Sequence, residues 1–364
     1  MKIGIFLGHP AQFHLFKFTA QNLRNKGHSV EFLVKRKDIL EDLVQETGIN
    51  YTIVRKHERK SSRKLNMIWE MLKMDMHVMG YIIRKRPRII IGTYCPIVSR
   101  LFPVSFIVCN EDDADVVPRF AKLAYPAASA ILTPISCDCG KWNEKAIKYA
   151  GFQKLAYLHP NRFTPDKNIV EKYLGEGYKP YILMRFAKLN AHHDGGVKGM
   201  TDQIALNIIK MVERTHQVLI SSERPLSSSL ESYRLRIDPM DVHHLMSFAD
   251  LYLGDSQSMA VEAAMLGVPN IRFNDFVARI GVLNELENNY QLTNSISSTN
   301  EHDLYAMIGQ MLCDVNTKAT FKSRRNKLLK EKIDVTAFMT WFVEDYPESK
   351  VVMKKNPDYQ YNFR

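Results

Sequence analysis

The run FADLYLGDSQSMAVEAAMLGVP at residues 248–269 constrains the fold more than any other segment. Its apolar start predicts a buried strand over 251–254, which empties through a small polar turn straight into a helix over 258–266. Strand, turn and helix in that order belong to a parallel α/β sheet. The turn gathers unpaired backbone N–H groups and the positive end of a helix dipole around Gly254, Ser256, Gln257 and Ser258, a place suited to phosphate. About one and a half helical turns after Ser256, the Glu262 carboxylate can accept from a pair of sugar hydroxyls. A ribose carrying a diphosphate would satisfy both groups, although Ser256 or Ser258 could equally be a plain helix N-cap.

The same cadence runs through the rest of the chain. Strands are expected at 3–7, 30–34, 51–54, 88–92, 104–109, 130–133 and 155–158, interleaved with helices at 13–26, at 38–46 and ahead of Pro87. It restarts with strands at 181–186, 217–221, 234–237, 251–254 and 270–273, and helices at 202–213, 241–248, 258–266 and 282–288. At 364 residues the chain exceeds what one core usually organises. The expected fold class is therefore α/β, with a Rossmann-like domain at 1–160, a linker at 161–177, a second Rossmann-like domain at 178–333 and a helical tail at 334–364 that crosses back.

A formal charge of +11 favours an anionic partner. No zinc-finger, aromatic RNP or helix-turn-helix pattern accompanies it, which disfavours nucleic acid. Cys95, Cys109, Cys137, Cys139 and Cys313 form no CxxC pair and have no histidine at zinc-ligand spacing, so no metal site is expected. The apolar opening is interrupted by Gly8-His9-Pro10, and no later stretch is apolar for about 18 residues, so a cytoplasmic location is expected. Residues 56–86 combine a basic loop, a Met-rich segment and Arg84-Lys85-Arg86. They suit peripheral contact with the inner face of a membrane, the alternative being a solvated loop before a core helix.

Three further turns carry candidate chemistry. The first predicted strand ends in Gly8-His9-Pro10-Ala11-Gln12-Phe13-His14, where open α/β sheets place ligands, and its single glycine is no dinucleotide fingerprint. His9 or His14 could act as a general base there, or be a surface histidine at a helix start. Glu111, Asp112 and Asp113 form an acidic cluster that could poise one carboxyl as a base, or simply cap the next helix. Arg185, with His192 and His193 ahead of Gly195-Gly196, places cations and flexible backbone at another strand end, as a diphosphate requires.

Gly8 to Phe16, Arg185 with Ala191 to Gly195, and Gly254 to Pro269 together resemble the GT-B sugar-nucleotide enzymes. The likeness is nearest to a little-characterised branch grouped with the UDP-N-acetylglucosamine 2-epimerases and MurG-like glycosyltransferases. It implies two domains facing one another across a cleft, the second holding an NDP-sugar, UDP-linked, and the first receiving the acceptor. In the epimerases a Ser-Gly-Gly turn holds the diphosphate and a glutamate six residues after the serine binds the ribose. Ser256 and Glu262 keep that spacing, while Gln257 and Ser258 replace the glycines. A histidine in the first turn is more like a glycosyltransferase, which implies transfer to a saccharide or lipid-linked acceptor in surface polysaccharide or glycoconjugate synthesis. No cofactor or metal is implied. Sugar-nucleotide 2-epimerisation, with the acids and His192 or His193 moving the proton, and a non-catalytic binding or scaffold role are the alternatives.

Overall fold

The computed structural model describes residues 1–37, 39–56, 64–94, 96, 101–187, 199–275 and 280–364. It divides into two compact units, Met1–Tyr157 with Lys332–Arg364, and Leu158–Glu331. The C-terminal segment thus belongs with the N-terminal unit.

The first unit is built on β1 (Lys2–Leu7), β2 (Ser29–Arg36), β3 (Tyr51–Lys56), β4 (Ile89–Gly92), β5 (Ser105–Cys109), β6 (Ala130–Pro134) and β7 (Ala146–Tyr149). They form one parallel sheet in the order β3-β2-β1-β4-β5-β6-β7. β1 is buried from Ile3 to Leu7 and β4 and β6 are buried throughout, as a sheet covered on both faces demands. After Lys332 the chain packs on this unit. Ile333 N–H donates to Ala150 O at 2.9 Å, Thr336 Oγ1–H to Ala156 O at 2.6 Å, and the Phe338 ring lies 5.7 Å from that of Tyr149.

The second unit holds β8 (Tyr181–Phe186), β9 (Gln217–Ser222), β10 (Leu251–Gly254), β11 (Asn270–Phe273) and β12 (Asn294–Ile296), parallel in the order β12-β11-β10-β8-β9. Ile182, Met184, Leu251, Leu253, Ile271 and Phe273 face one side, where they pack with Ile204, Ile208, Leu304 and Ile308. Alternate residues, Arg185, Tyr252, Gly254 and Arg272 among them, therefore face the other side.

Several elements depart from the sequence expectation. Residues 155–158 form a short helix, Leu155–Leu158, instead of a strand. Around 234–237 only Arg234 makes a bridge, to Ile220. β7 and β12 were not anticipated, and residues 161–177 hold the helix Lys167–Leu174 within the second unit.

Candidate nucleotide-sugar site

In each sheet the strand order reverses at one place, between β1 and β4 and between β8 and β10. Open α/β sheets hold ligands at the carboxyl ends of the strands flanking such a reversal. A glycine ends the later strand at both places. A Cβ on Gly92 would lie 2.7 Å from Phe6 O, and one on Gly254 2.7 Å from Arg185 O. Only a residue without a side chain allows the backbones that approach.

Beyond Gly254, Ser256 is the N-cap of the helix Gln257–Leu266, its hydroxyl accepting from Met259 N–H at 3.5 Å. The plain cap reading of Ser256 is thus realised, while Gln257 and exposed Ser258 occupy the first helical positions beside N–H groups that an anion can use. The helix is buried from Ala260 to Leu266 and stops where Gly267 adopts φ 69°. Glu262 is buried on it, its Oε2 3.5 Å from His243 Nε2 on the neighbouring helix Val242–Phe248.

A transverse register row crosses the sheet at this level: Ser221, Arg185, Gly254, Arg272 and Ser295. Two arginines thus flank Gly254. Arg185 Nη1 donates to Ser221 Oγ at 2.6 Å and Nη2 to the Glu223 carboxylate. Arg272 is enclosed; among the described residues none of its guanidinium nitrogens has a hydrogen-bond partner, and the Glu287 carboxylate lies 3.7 Å away. Burial lowers its pKa, opposed by Glu287. Tyr252 lies under the same turn, its hydroxyl donating to Ser256 O at 3.4 Å. Burial drives its phenol far above the ordinary range, and the charges of Arg185, Asp255 and Glu262 all act on it.

Asp255 was missed as a functional candidate, although it stands inside the diagnostic run. Its buried carboxylate accepts from Ala187 N–H at 2.6 Å and Met200 N–H at 3.2 Å, tying β8 to residues beyond 188–198. Its own backbone carbonyl accepts from Asn274 Nδ2 at 3.1 Å. An acid directly after a strand-ending glycine was the available signal. His192 and His193 lie outside the described residues.

In the first unit, exposed His9 is the N-cap of the helix Pro10–Asn25. Its Nδ1 accepts from Ala11 N–H at 3.2 Å, so in the neutral ring Nε2 carries the proton and is a donor. Gln12 Oε1 accepts from Gly8 N–H at 2.6 Å and tightens the same turn. His14 is half-buried one turn on, its ring 5.4 Å from that of Tyr157.

The acidic cluster is drawn into separate bonds. Glu111 pairs with the Lys154 ammonium and accepts from Gln153 N–H at 3.0 Å, while Asp113 Oδ1 accepts from Asp138 N–H at 2.6 Å. Asp112 lies near enough to these for its charge, with those of Glu111 and Asp113, to act on Cys137. Burial first, and these acids second, push the Cys137 thiol far up. Among the described residues no three His, Cys, Asp or Glu side chains converge as a metal site would require.

Three solved structures resemble the chain over most of its length. They are Staphylococcus aureus MnaA with UDP, at 12% identity and TM-score 0.65, covering 96% of this chain and 97% of that one; the spinosyn forosaminyltransferase SpnP, at 13% and 0.63, covering 95% and 100%; and the Methanocaldococcus jannaschii UDP-GlcNAc 2-epimerase in complex with UDP-GlcNAc and UDP, at 13% and 0.59, covering 89% and 99%. At such identities the likeness is one of fold, and the fold is GT-B. No functionally curated protein matches significantly. The family described as "Protein of unknown function (DUF354)" matches residues 1–282, and the chain belongs to it.

Proposed function

We propose that this protein is a glycosyltransferase that takes a nucleotide-diphosphate sugar, UDP-linked, and passes the sugar to a saccharide or lipid-linked acceptor during surface polysaccharide or glycoconjugate assembly. The observation that supports it most is the strand-reversal edge at Gly254, where the Gln257–Leu266 helix start, Arg185 and Glu262 gather around one buried tyrosine. The diphosphate sits against the N–H groups at Gln257 and Ser258, and Arg185 turns part of its charge from Glu223 to the phosphate. Glu262 accepts from the ribose diol while its other side faces His243. His192 and His193 are proposed to add donors to the same ligand.

In the transfer step the acceptor oxygen bonds to the anomeric carbon as that carbon's bond to the β-phosphate oxygen breaks, the electron pair leaving with UDP. A histidine in the turn after β1 takes the acceptor's proton. We assign this role to His14, on the helix Pro10–Asn25 that follows that turn, with His9, the cap of the same helix, as the alternative. The helix dipole and Arg185 stabilise the charge on the departing diphosphate. A 2-epimerase would instead need an acid at the inverting carbon, and Glu111 and Asp113 already hold Lys154 and the Asp138 N–H.

The test follows UDP release from a panel of NDP-sugars, with and without saccharide and lipid-linked acceptors. Acceptor-dependent release is expected; interconversion of the sugar without acceptor would overturn transfer in favour of epimerisation. Glu262→Ala should weaken UDP binding about tenfold, close to 1.4 kcal/mol. His14→Ala should slow turnover about 10²- to 10⁴-fold while UDP binds as before.

A further inference from the structure

The helix Lys64–Lys85 carries two apolar faces. Met74, Val78, Tyr81 and Ile82 are buried in the first unit's core, and Asp75 beside them accepts from the Tyr94 hydroxyl. Trp69, Leu72, Met76 and Ile83 point the opposite way, exposed by 60%, 46%, 64% and 57%. At about 100° per residue these four fall within an arc of about 60°, a single ridge roughly 20 Å long. Among the described residues, four of the eleven exposed large hydrophobic side chains lie on this one helix, so the ridge is not scattered surface.

Its surroundings are cationic. Lys73 and Arg84 are exposed on one flank, with the Lys73 ammonium 5.9 Å from the Trp69 ring centre, and exposed Arg86 follows the helix. Just ahead, the sequence at 56–64 contains Lys56, Arg59, Lys60, Arg63 and Lys64 against a single acid, Glu58. We propose that this ridge docks the first unit onto an anionic lipid bilayer, with Trp69, Leu72, Met76 and Ile83 entering the headgroup and acyl boundary while the flanking cations meet lipid phosphates. The charge decides the occupant. A second copy of the chain would bring the same cations against themselves, whereas an acidic leaflet neutralises them. Among the described residues no helix is long and apolar enough to cross a membrane, so the contact is one of surface binding. It stands apart from the proposed transfer reaction, because UDP binding does not use this helix.

The full chain is sedimented with vesicles of phosphatidylcholine and phosphatidylglycerol at 3:1, and with phosphatidylcholine alone. Binding to the anionic vesicles that falls with added salt is expected, with little on the neutral ones. Met76→Ser with Ile83→Ser should lower the partition coefficient about tenfold or more. Lys73→Gln with Arg84→Gln should lower it about fivefold for each charge. Melting temperature and UDP affinity, measured on both variants, should not change. Absence of binding to anionic vesicles, or equal binding by both folded variants, would overturn the proposal. So would a concentration-dependent dimer abolished by the Met76 and Ile83 substitutions, which would assign the ridge to self-association.

Discussion

Asp255 shows how one side chain near the candidate site couples stability to pH. Burial raises its carboxyl to about 6 from the ordinary 3.8, against the N–H donors of Ala187 and Met200 that favour the charged form. Between those two values the folded state keeps a proton that the unfolded chain has lost. This group's contribution therefore falls as pH rises through that window and is most unfavourable above about 6. From pH 7 down to pH 5 it should add about 1 kcal/mol to stability. Urea unfolding at the two pH values tests this: Asp255→Asn should lose that gain relative to the parent protein, and an identical pH response in the two would refute it. None of this was legible in sequence, because the shift depends on enclosure and on two N–H donors at 187 and 200 that only the fold brings to 255. The same holds for Arg272. The sequence places an arginine in the short strand NIRF, and only the structure shows it enclosed beside Gly254, its nitrogens without a hydrogen-bond partner among the described residues.

At the level of elements, the transverse row through Gly254 depends on two backbones meeting closely. Gly254→Ala would set a Cβ 2.7 Å from Arg185 O and 2.8 Å from Arg185 Cβ, leaving neither strand room to relax. A loss of about 1–3 kcal/mol is expected by thermal or denaturant unfolding. UDP affinity should fall as well, because the strand displaced is the one that aims Arg185. A stable variant with unchanged UDP binding would show that the close approach has no bearing on the site. This element was the most legible part of the chain, since a buried strand, a polar turn and a capped helix each leave a sequence signature. The misread elements are short. LAYL at 155–158 has four apolar residues, too few for the periods of helix and strand to separate, and it forms a helical turn. RLRI at 234–237 alternates like a strand yet makes one bridge.

On the scale of the whole molecule, the second unit is one uninterrupted stretch, Leu158–Glu331, whereas the first is assembled from both ends of the chain. Residues 158–331 alone should therefore fold cooperatively and, carrying Arg185, Ser256 and Glu262, bind UDP within about tenfold of the full chain. Calorimetry and titration of that fragment check both expectations, and a fragment that melts without a cooperative transition would refute the first. The first unit without residues 332–364 should be markedly destabilised. It would lose the Asp334-capped helix Val335–Glu344 and the packing of the Phe338 ring on Tyr149, together with the hydrogen bonds to Ala150 and Ala156.

The return of Lys332–Arg364 to the first unit also sets a timetable during translation. Residues 1–157 leave the ribosome first, yet the last helices that pack on them emerge only after the whole second unit has been made. The nascent chain thus carries an N-terminal sheet whose strands are all made but whose last helical cover is still to come while the second unit is synthesised. That interval is when the exposed sheet is most open to chaperones and most prone to aggregate.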